Sequence, residues 1–125
     1  MYEVTVERGF SSGHYLRNYK GKCENPHGHN YKVRVALAGP RLNAIGLLYD
    51  FKDLKAFLRR ETEILDHQYL NDLEPFRELN PSAENLARFL FERLEQALAD
   101  NAEGVRVKTV TVYETDTTAA VYNGA

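Results

Sequence analysis

The stretch Cys23–Leu37, with the sequence CENPHGHNYKVRVAL, passes from a polar turn directly into a pattern typical of a β-strand. Residues two apart in a strand point to the same face of its sheet. His27 and His29 therefore project together, and Gly28 removes bulk between them. The same face continues through Tyr31, Val33, Val35 and Leu37. This pattern predicts a strand that carries two imidazoles at the mouth of an apolar face.

A second candidate strand lies upstream, from Met1 to about Leu16. One of its parities is polar at Glu3, Thr5 and Glu7. The other parity carries Val4, Val6, Phe10, Ser12 and His14. If the two strands pair as a hairpin, His14 joins His27 and His29 where the core opens to solvent. Three neutral imidazoles are a sufficient ligand set for a catalytic zinc, which keeps its fourth position for water or substrate.

Cys23, the only cysteine of the chain, lies between His14 and His27. A thiol beside a metal is a candidate acid/base or nucleophile. Two alternatives stay open from the residues alone. Histidines at strand ends are often merely solvated, and Cys23 could complete a closed, structural zinc site with four ligands. We favour the open site because a fourth ligand would consume the only reactive thiol.

Length and composition predict one domain spanning residues 1–125, with an ordinary apolar fraction of 43%. The net charge of -2 indicates no basic field for nucleic acid. No apolar run approaches the length of a membrane span, and the N-terminal segment lacks the pattern of a signal peptide. A single cysteine excludes an intramolecular disulfide and fits a reducing compartment. We therefore expect a cytoplasmic protein that binds neither membranes nor nucleic acid.

The rest of the chain predicts two helices followed by two strands. Asp50 is a candidate N-cap for a helix that runs to about Leu65, and Ser82 is a candidate N-cap for a second helix with Glu84 in its first turn. Residues 105–115 and 119–122 are the candidate third and fourth strands. The order of two strands, two helices and two strands predicts an α+β fold with an antiparallel sheet and both helices on one face.

The third strand is apolar on both parities. Val105 and Val107 lie on one parity, and Val110 and Val112 lie on the other. A sheet covered by helices on a single face does not need a second apolar face, so the pattern predicts contact with another subunit. The alternative is that the threonines of this strand, Thr109 and Thr111, make that face polar enough for water.

Six motifs follow one another along nearly the whole chain. They are Phe10-Ser11-Ser12-Gly13-His14, Cys23-x-x-x-His27-Gly28-His29-Asn30-Tyr31, Asp50-Phe51, Leu65-Asp66-His67-Gln68-Tyr69-Leu70-Asn71, Pro81-Ser82-Ala83-Glu84-Asn85 and Glu114-Thr115. In this order and combination they resemble the family of 6-pyruvoyl-tetrahydropterin synthase and 6-carboxytetrahydropterin synthase.

The resemblance implies the tunnelling fold, a four-stranded antiparallel sheet with two helices on one face. It implies trimers that close into a barrel and pair as hexamers, with active sites at subunit interfaces. The gap of three residues between Cys23 and His27 looks like the carboxy branch of the family. That branch converts 7,8-dihydroneopterin triphosphate to 6-carboxy-5,6,7,8-tetrahydropterin, releasing acetaldehyde and triphosphate, and serves queuosine and other deazapurine pathways.

The resemblance also implies roles for individual residues. His14, His27 and His29 match the family's zinc ligands, and Cys23 matches its proton-abstracting thiol. His67 would relay protons with Cys23, while Asp66 orients and charges the imidazole.

Glu114 would bind the pterin ring and not the metal, and it could also take part in the proton relay. A carboxylate can accept two parallel hydrogen bonds from the amino group and ring N–H of a pterin. The cations Arg17, Lys20 and Lys22 could attract the triphosphate, or they could belong to an ordinary solvated loop.

Three other functions compete with the carboxytetrahydropterin reaction. Pyruvoyl-tetrahydropterin synthase activity eliminates triphosphate without cutting the carbon chain, and the same residues would serve it. A non-catalytic zinc-binding assembly module would use Cys23 as a fourth ligand. A cysteine hydrolase built on Cys23 and His67 ranks last, because the sequence carries no oxyanion-hole signature.

Overall fold

The computed structural model describes residues 1–21, 25–99 and 104–125. These residues form strands β1 (Tyr2–His14) and β2 (His27–Gly39), helices α1 (Phe51–Leu65) and α2 (Ala83–Ala99), and strands β3 (Arg106–Thr115) and β4 (Thr118–Tyr122). Two short 3-10 turns, Leu70–Asp72 and Glu74–Phe76, connect the helices. The strands lie in the order β1-β2-β3-β4, and every neighbouring pair is antiparallel. The predicted α+β fold with a four-stranded antiparallel sheet is confirmed.

Both helices begin where the sequence predicts. The Asp50 side chain accepts a hydrogen bond of 2.7 Å from the backbone N–H of Lys52, and Ser82 Oγ accepts one of 3.1 Å from that of Asn85. Such caps satisfy N–H groups that have no partner inside the helix. Among the residues described, no helix combines the length and the apolar character needed to cross a bilayer.

The core lies between one face of the sheet and the two helices. Helix α1 packs against β1, and α2 packs against β3 and β4. On the sheet side, alternation places every second residue of β2 in the core. The leucines of α2 contribute from the helix side at intervals of four residues. The sheet residues Tyr31, Val33, Val35 and Leu37 and the helix residues Leu86, Leu90, Leu94 and Leu98 are all buried.

The predicted second apolar face of β3 is wrong. Thr109 pairs with Ala36 but Val107 pairs with Leu37, so the intervening residue Lys108 forms a bulge. One extra residue in a strand reverses the parity on one side of the bulge. Val105, Val107, Val110 and Val112 are therefore all buried in the same core.

The opposite face of the sheet is polar. This agrees with the alternative prediction, in which the threonines of β3 make that face polar enough for water. Lys108 Nζ lies 2.6 Å from Glu3 Oε2, and Arg34 Nη2 lies 2.7 Å from Glu7 Oε2. Apolar patterning of β3 thus gives no support for a subunit contact on this face.

Candidate metal centre

The register of β1 and β2 brings three imidazoles together at one end of the sheet. His14 pairs directly with His27, and Ser12 pairs with His29. Because His27 and His29 are two residues apart on β2, both rings point to the core side, where His14 also lies. His14 is 1% exposed, whereas the other two rings are partly open to solvent. The predicted convergence of the three histidines is therefore a feature of the structure.

Glu114 joins these histidines from β3. Its Oε1 lies 2.7 Å from Nε2 of His29, 3.4 Å from Nε2 of His14 and 3.9 Å from Nε2 of His27. One ligand atom from each of the four residues falls within 4.8 Å of all the others. The group could therefore hold a metal ion.

In two of the imidazoles, a hydrogen bond to a backbone carbonyl shows which ring nitrogen is available to bind a metal. His14 Nδ1 lies 2.7 Å from the carbonyl oxygen of Pro81, and His27 Nδ1 lies 2.8 Å from that of Asn25. A carbonyl oxygen only accepts, so each Nδ1 carries the hydrogen and donates it. In the neutral rings the lone pairs are then on Nε2.

The two Nε2 atoms of His14 and His27 face each other at 3.0 Å. Two lone pairs at that distance repel unless a proton or a metal cation lies between them. Bonds of about 2.0–2.1 Å in a tetrahedral zinc site separate ligand nitrogens by roughly 3.3 Å, so little movement would be needed. The arrangement fits a bound cation better than it fits two neutral rings.

His29 gives a second indication that this site fits a metal. Its Nε2 is buried and makes no well-aligned hydrogen bond, although Glu114 Oε1 lies 2.7 Å away. Burial lowers the pKa of His29, although the charge of Glu114 opposes the shift. The ring is thereby favoured in the neutral form that metals require.

Glu114 also borders a cavity, and none of the three histidines is among the described residues that line it. The cavity has a volume of about 170 Å³. It is lined by Ala83, Glu84, Glu114, Thr118, Ala119 and Ala120. The sequence predicts that Glu114 binds the pterin ring, but it does not predict the contact of Glu114 with the imidazoles. No local pattern in the sequence indicates this contact, because it depends on the antiparallel pairing of β2 with β3, which sets the end of β3 beside the start of β2.

Asp66 and His67 lie beside β1 at the end of α1. Asp66 Oδ1 accepts a 2.8 Å hydrogen bond from the backbone N–H of Ser11, and Oδ2 lies 3.0 Å from His67 Nδ1. The Ser11 N–H lowers the pKa of Asp66, and the contact with His67 lowers it further. His67 has a φ of +55°, a strained value for a residue with a side chain, and its ring is 83% exposed. It lines an open groove that also reaches Gly28 and His29.

Two of the candidate residues, Lys22 and Cys23, lie outside the described residues. Arg17 is described, and its guanidinium donates to the carbonyl oxygens of Phe76 at 2.7 Å and Leu79 at 3.2 Å. It therefore holds the connection between the helices. Lys20 is exposed.

Comparison with known proteins gives a consistent result. The family model described as 6-pyruvoyl tetrahydropterin synthase matches residues 3–125. The chain is 36% identical to a 6-carboxy-5,6,7,8-tetrahydropterin synthase of Synechocystis, over 98% of this chain and 93% of the relative. It is 39% identical to the human 6-pyruvoyl tetrahydrobiopterin synthase, over 98% and 91%. The structure of 6-pyruvoyl tetrahydropterin synthase from Caenorhabditis elegans superposes with a TM-score of 0.83 at 33% identity, covering 100% of this chain and 98% of that one.

Proposed function

Because the chain belongs to the 6-pyruvoyl tetrahydropterin synthase family, we propose that it is a zinc-dependent lyase of the carboxy branch. Its substrates would be 7,8-dihydroneopterin triphosphate and one water molecule, and its products 6-carboxy-5,6,7,8-tetrahydropterin, acetaldehyde and triphosphate. The observation that carries this proposal is the convergence of His14, His27 and His29 beside a cavity bordered by Glu114. The gap of three residues between Cys23 and His27 supports the carboxy branch, as does the Synechocystis relative.

In this proposal the three imidazoles hold the zinc through Nε2. The bound metal would polarise the hydroxyl groups of the substrate side chain and the developing carbonyl group. The donor set supports zinc because imidazole nitrogens suit it and three of them leave a position open.

The other candidate residues would bind the substrate and move protons. The Glu114 carboxylate would accept hydrogen bonds from the amino group and ring N–H of a pterin in the neighbouring cavity. Cys23 would abstract a proton as the thiolate. His67 would exchange protons with Cys23, and the contact of 3.0 Å between His67 Nδ1 and Asp66 Oδ2 would stabilise the charged imidazole.

We further propose that one domain of residues 1–125 assembles into a homohexamer that works in the cytoplasm, in queuosine or another deazapurine pathway. The sheet order leaves one edge of β1 and one edge of β4 without a strand partner among the described residues. The unpaired N–H and C=O groups of such an edge can pair with another chain. Part of the β1 edge is already covered, since the Gly13 N–H donates to the Gln68 carbonyl oxygen at 3.0 Å.

Pyruvoyl-tetrahydropterin synthase activity is the second candidate, favoured by the 39% identity to the human relative. Product analysis separates the two. Zinc-loaded protein should release acetaldehyde and triphosphate in equal amounts from 7,8-dihydroneopterin triphosphate. Triphosphate without acetaldehyde would favour the pyruvoyl reaction, and neither product would favour a non-catalytic zinc module.

A further inference from the structure

The hydrogen bond that orients His14 comes from the segment leading into α2. The Pro81 carbonyl oxygen accepts from His14 Nδ1 at 2.7 Å, and both residues are buried. The hydroxyl oxygen of Tyr31 lies 3.1 Å from the same nitrogen. As long as the Pro81 carbonyl keeps its direction, the lone pair of His14 stays on Nε2, which faces His27 and Glu114.

Asn85 holds the chain on both sides of Pro81. Its side-chain Nδ2 donates to the carbonyl oxygen of Asn80 at 2.9 Å, and its backbone N–H donates to Oγ of Ser82 at 3.1 Å. The residue before Pro81 and the residue after it are thus anchored to one position in the first turn of α2. This restricts rotation of the Pro81 peptide group and therefore the direction of its carbonyl.

Asn80 connects the same segment to the strand that carries His14. Its Oδ1 accepts from the backbone N–H of Arg17 at 2.8 Å, and its Nδ2 donates to the Arg17 carbonyl at 3.0 Å. Arg17 follows His14 by three residues. The amide of Asn80 thereby fixes the distance between the end of β1 and the start of α2, across which the His14–Pro81 hydrogen bond forms.

We infer that Asn85 is a positioning residue of the metal site, acting through the Pro81 carbonyl on the tautomer and orientation of His14. The inference rests on the proposed function, because it requires that His14 bind the metal. Groups that orient a metal ligand commonly change metal affinity by about 10- to 100-fold when they are lost. The part of Asn85 that matters is the Nδ2 donor, since any substitution other than proline retains the backbone N–H.

The test compares Asn85→Asp with wild-type protein. Aspartate keeps the shape and the backbone cap, but it cannot donate to the Asn80 carbonyl. Zinc affinity is measured by competition with a chelator, and the visible absorption spectrum is recorded after loading with cobalt. We expect zinc to bind about 10- to 100-fold more weakly and the cobalt spectrum to change. Asn85→Ala should behave in the same way.

Asn43→Asp is the matched control. The Asn43 side chain also holds backbone groups, accepting from the N–H of Ile45 and of Leu47 at 3.0 Å, but it lies beyond the opposite end of β2. This variant should bind zinc as the wild type does. The melting temperature of each protein, measured with excess chelator, reports stability without zinc.

Three results would overturn the inference. Unchanged zinc affinity in Asn85→Asp, with or without a lower melting temperature, would show that Asn85 only stabilises the start of α2 and does not position His14. Equal weakening by Asn43→Asp would show a general effect of the added charge. Failure of wild-type protein to bind zinc would overturn the proposed function together with the inference, whereas the first two results leave the proposed function intact.

Discussion

At the scale of single residues, Glu114 contacts both the candidate metal site and the candidate substrate cavity. Its Oε1 is 2.7 Å from His29 Nε2, and the same side chain borders the cavity of about 170 Å³. A carboxylate at that boundary could bind either the metal or the substrate. Mutation separates the two roles because they affect different measurable quantities.

We predict that Glu114→Gln lowers pterin affinity or turnover while zinc content stays the same. Glutamine keeps the shape but replaces one acceptor oxygen with a donor. Against a buried donor of the ligand, the loss should be on the order of 2–5 kcal/mol. Pterin binding, turnover and zinc content are measured on the same preparation, with Glu78→Gln, at an exposed position in the connection between the helices, as control. Loss of zinc would make Glu114 a metal ligand, and no effect at all would make it a solvated residue.

Substitution of Cys23 should change different measured quantities from substitution of Glu114. We predict that Cys23→Ala lowers turnover by about 10²- to 10⁴-fold, the usual contribution of a general acid or base. Zinc content and oligomeric mass should be unchanged, because the open site uses only three imidazoles. Metal analysis of the purified variant is the critical measurement. Loss of zinc would support the alternative in which Cys23 is the fourth ligand.

At the scale of secondary-structure elements, the turn after α1 is attached to the edge of β1. The backbone N–H of Ser11 donates to Asp66 Oδ1, and the backbone N–H of Gly13 donates to the Gln68 carbonyl. These bonds hold His67 in its left-handed conformation at the rim of the groove. The charge of Asp66 is part of this attachment, because the hydrogen bonds to it lower its pKa.

This attachment predicts a pH dependence of stability. Because the pKa of Asp66 is lower in the folded protein than in the unfolded chain, the ionised carboxylate stabilises the fold above the unfolded value near 3.8. The contribution is lost as the pH falls through the folded pKa. We expect zinc-free Asp66→Asn to be less stable than wild type at pH 7, and the difference to shrink below pH 4.

Denaturant unfolding at several pH values measures this difference directly. Asp116→Asn, in the exposed turn between β3 and β4, is the control. A difference between wild type and Asp66→Asn that is constant with pH would show that the charge of Asp66 is irrelevant to the attachment.

At the scale of the whole molecule, the expected assembly no longer rests on the patterning of β3. Val105 and the three valines of β3 are buried in one core, and the opposite face of the sheet carries ion pairs. The proposed hexamer rests on the family and on the edges of β1 and β4, which lack a neighbouring strand in the part of the chain that the structure describes. We predict that light scattering at micromolar concentration gives six times the chain mass of 14.3 kDa. A mass of one chain would refute the prediction.

Local patterns in the sequence determined the secondary structure of this protein and the face of the sheet on which each side chain of β2 lies. Alternation in Cys23–Leu37 predicted that His27 and His29 share a face with the buried residues of β2, and capping residues located the starts of both helices. These features depend on periodicity and on hydrogen bonds between residues close in the chain. For that reason one sequence sufficed to predict the strands and helices and, on the condition that β1 and β2 pair as a hairpin, the convergence of three histidines.

Only the tertiary structure decided how distant segments meet. The bulge at Lys108 depends on the pairing of β2 with β3, and it reversed the parity on which the subunit argument had rested. The contact of Glu114 with the imidazoles and the bond from His14 to Pro81 join segments far apart in the chain. Their partners are set by strand register and helix packing. Periodicity specifies which face a side chain occupies, but it does not specify which distant atom lies opposite.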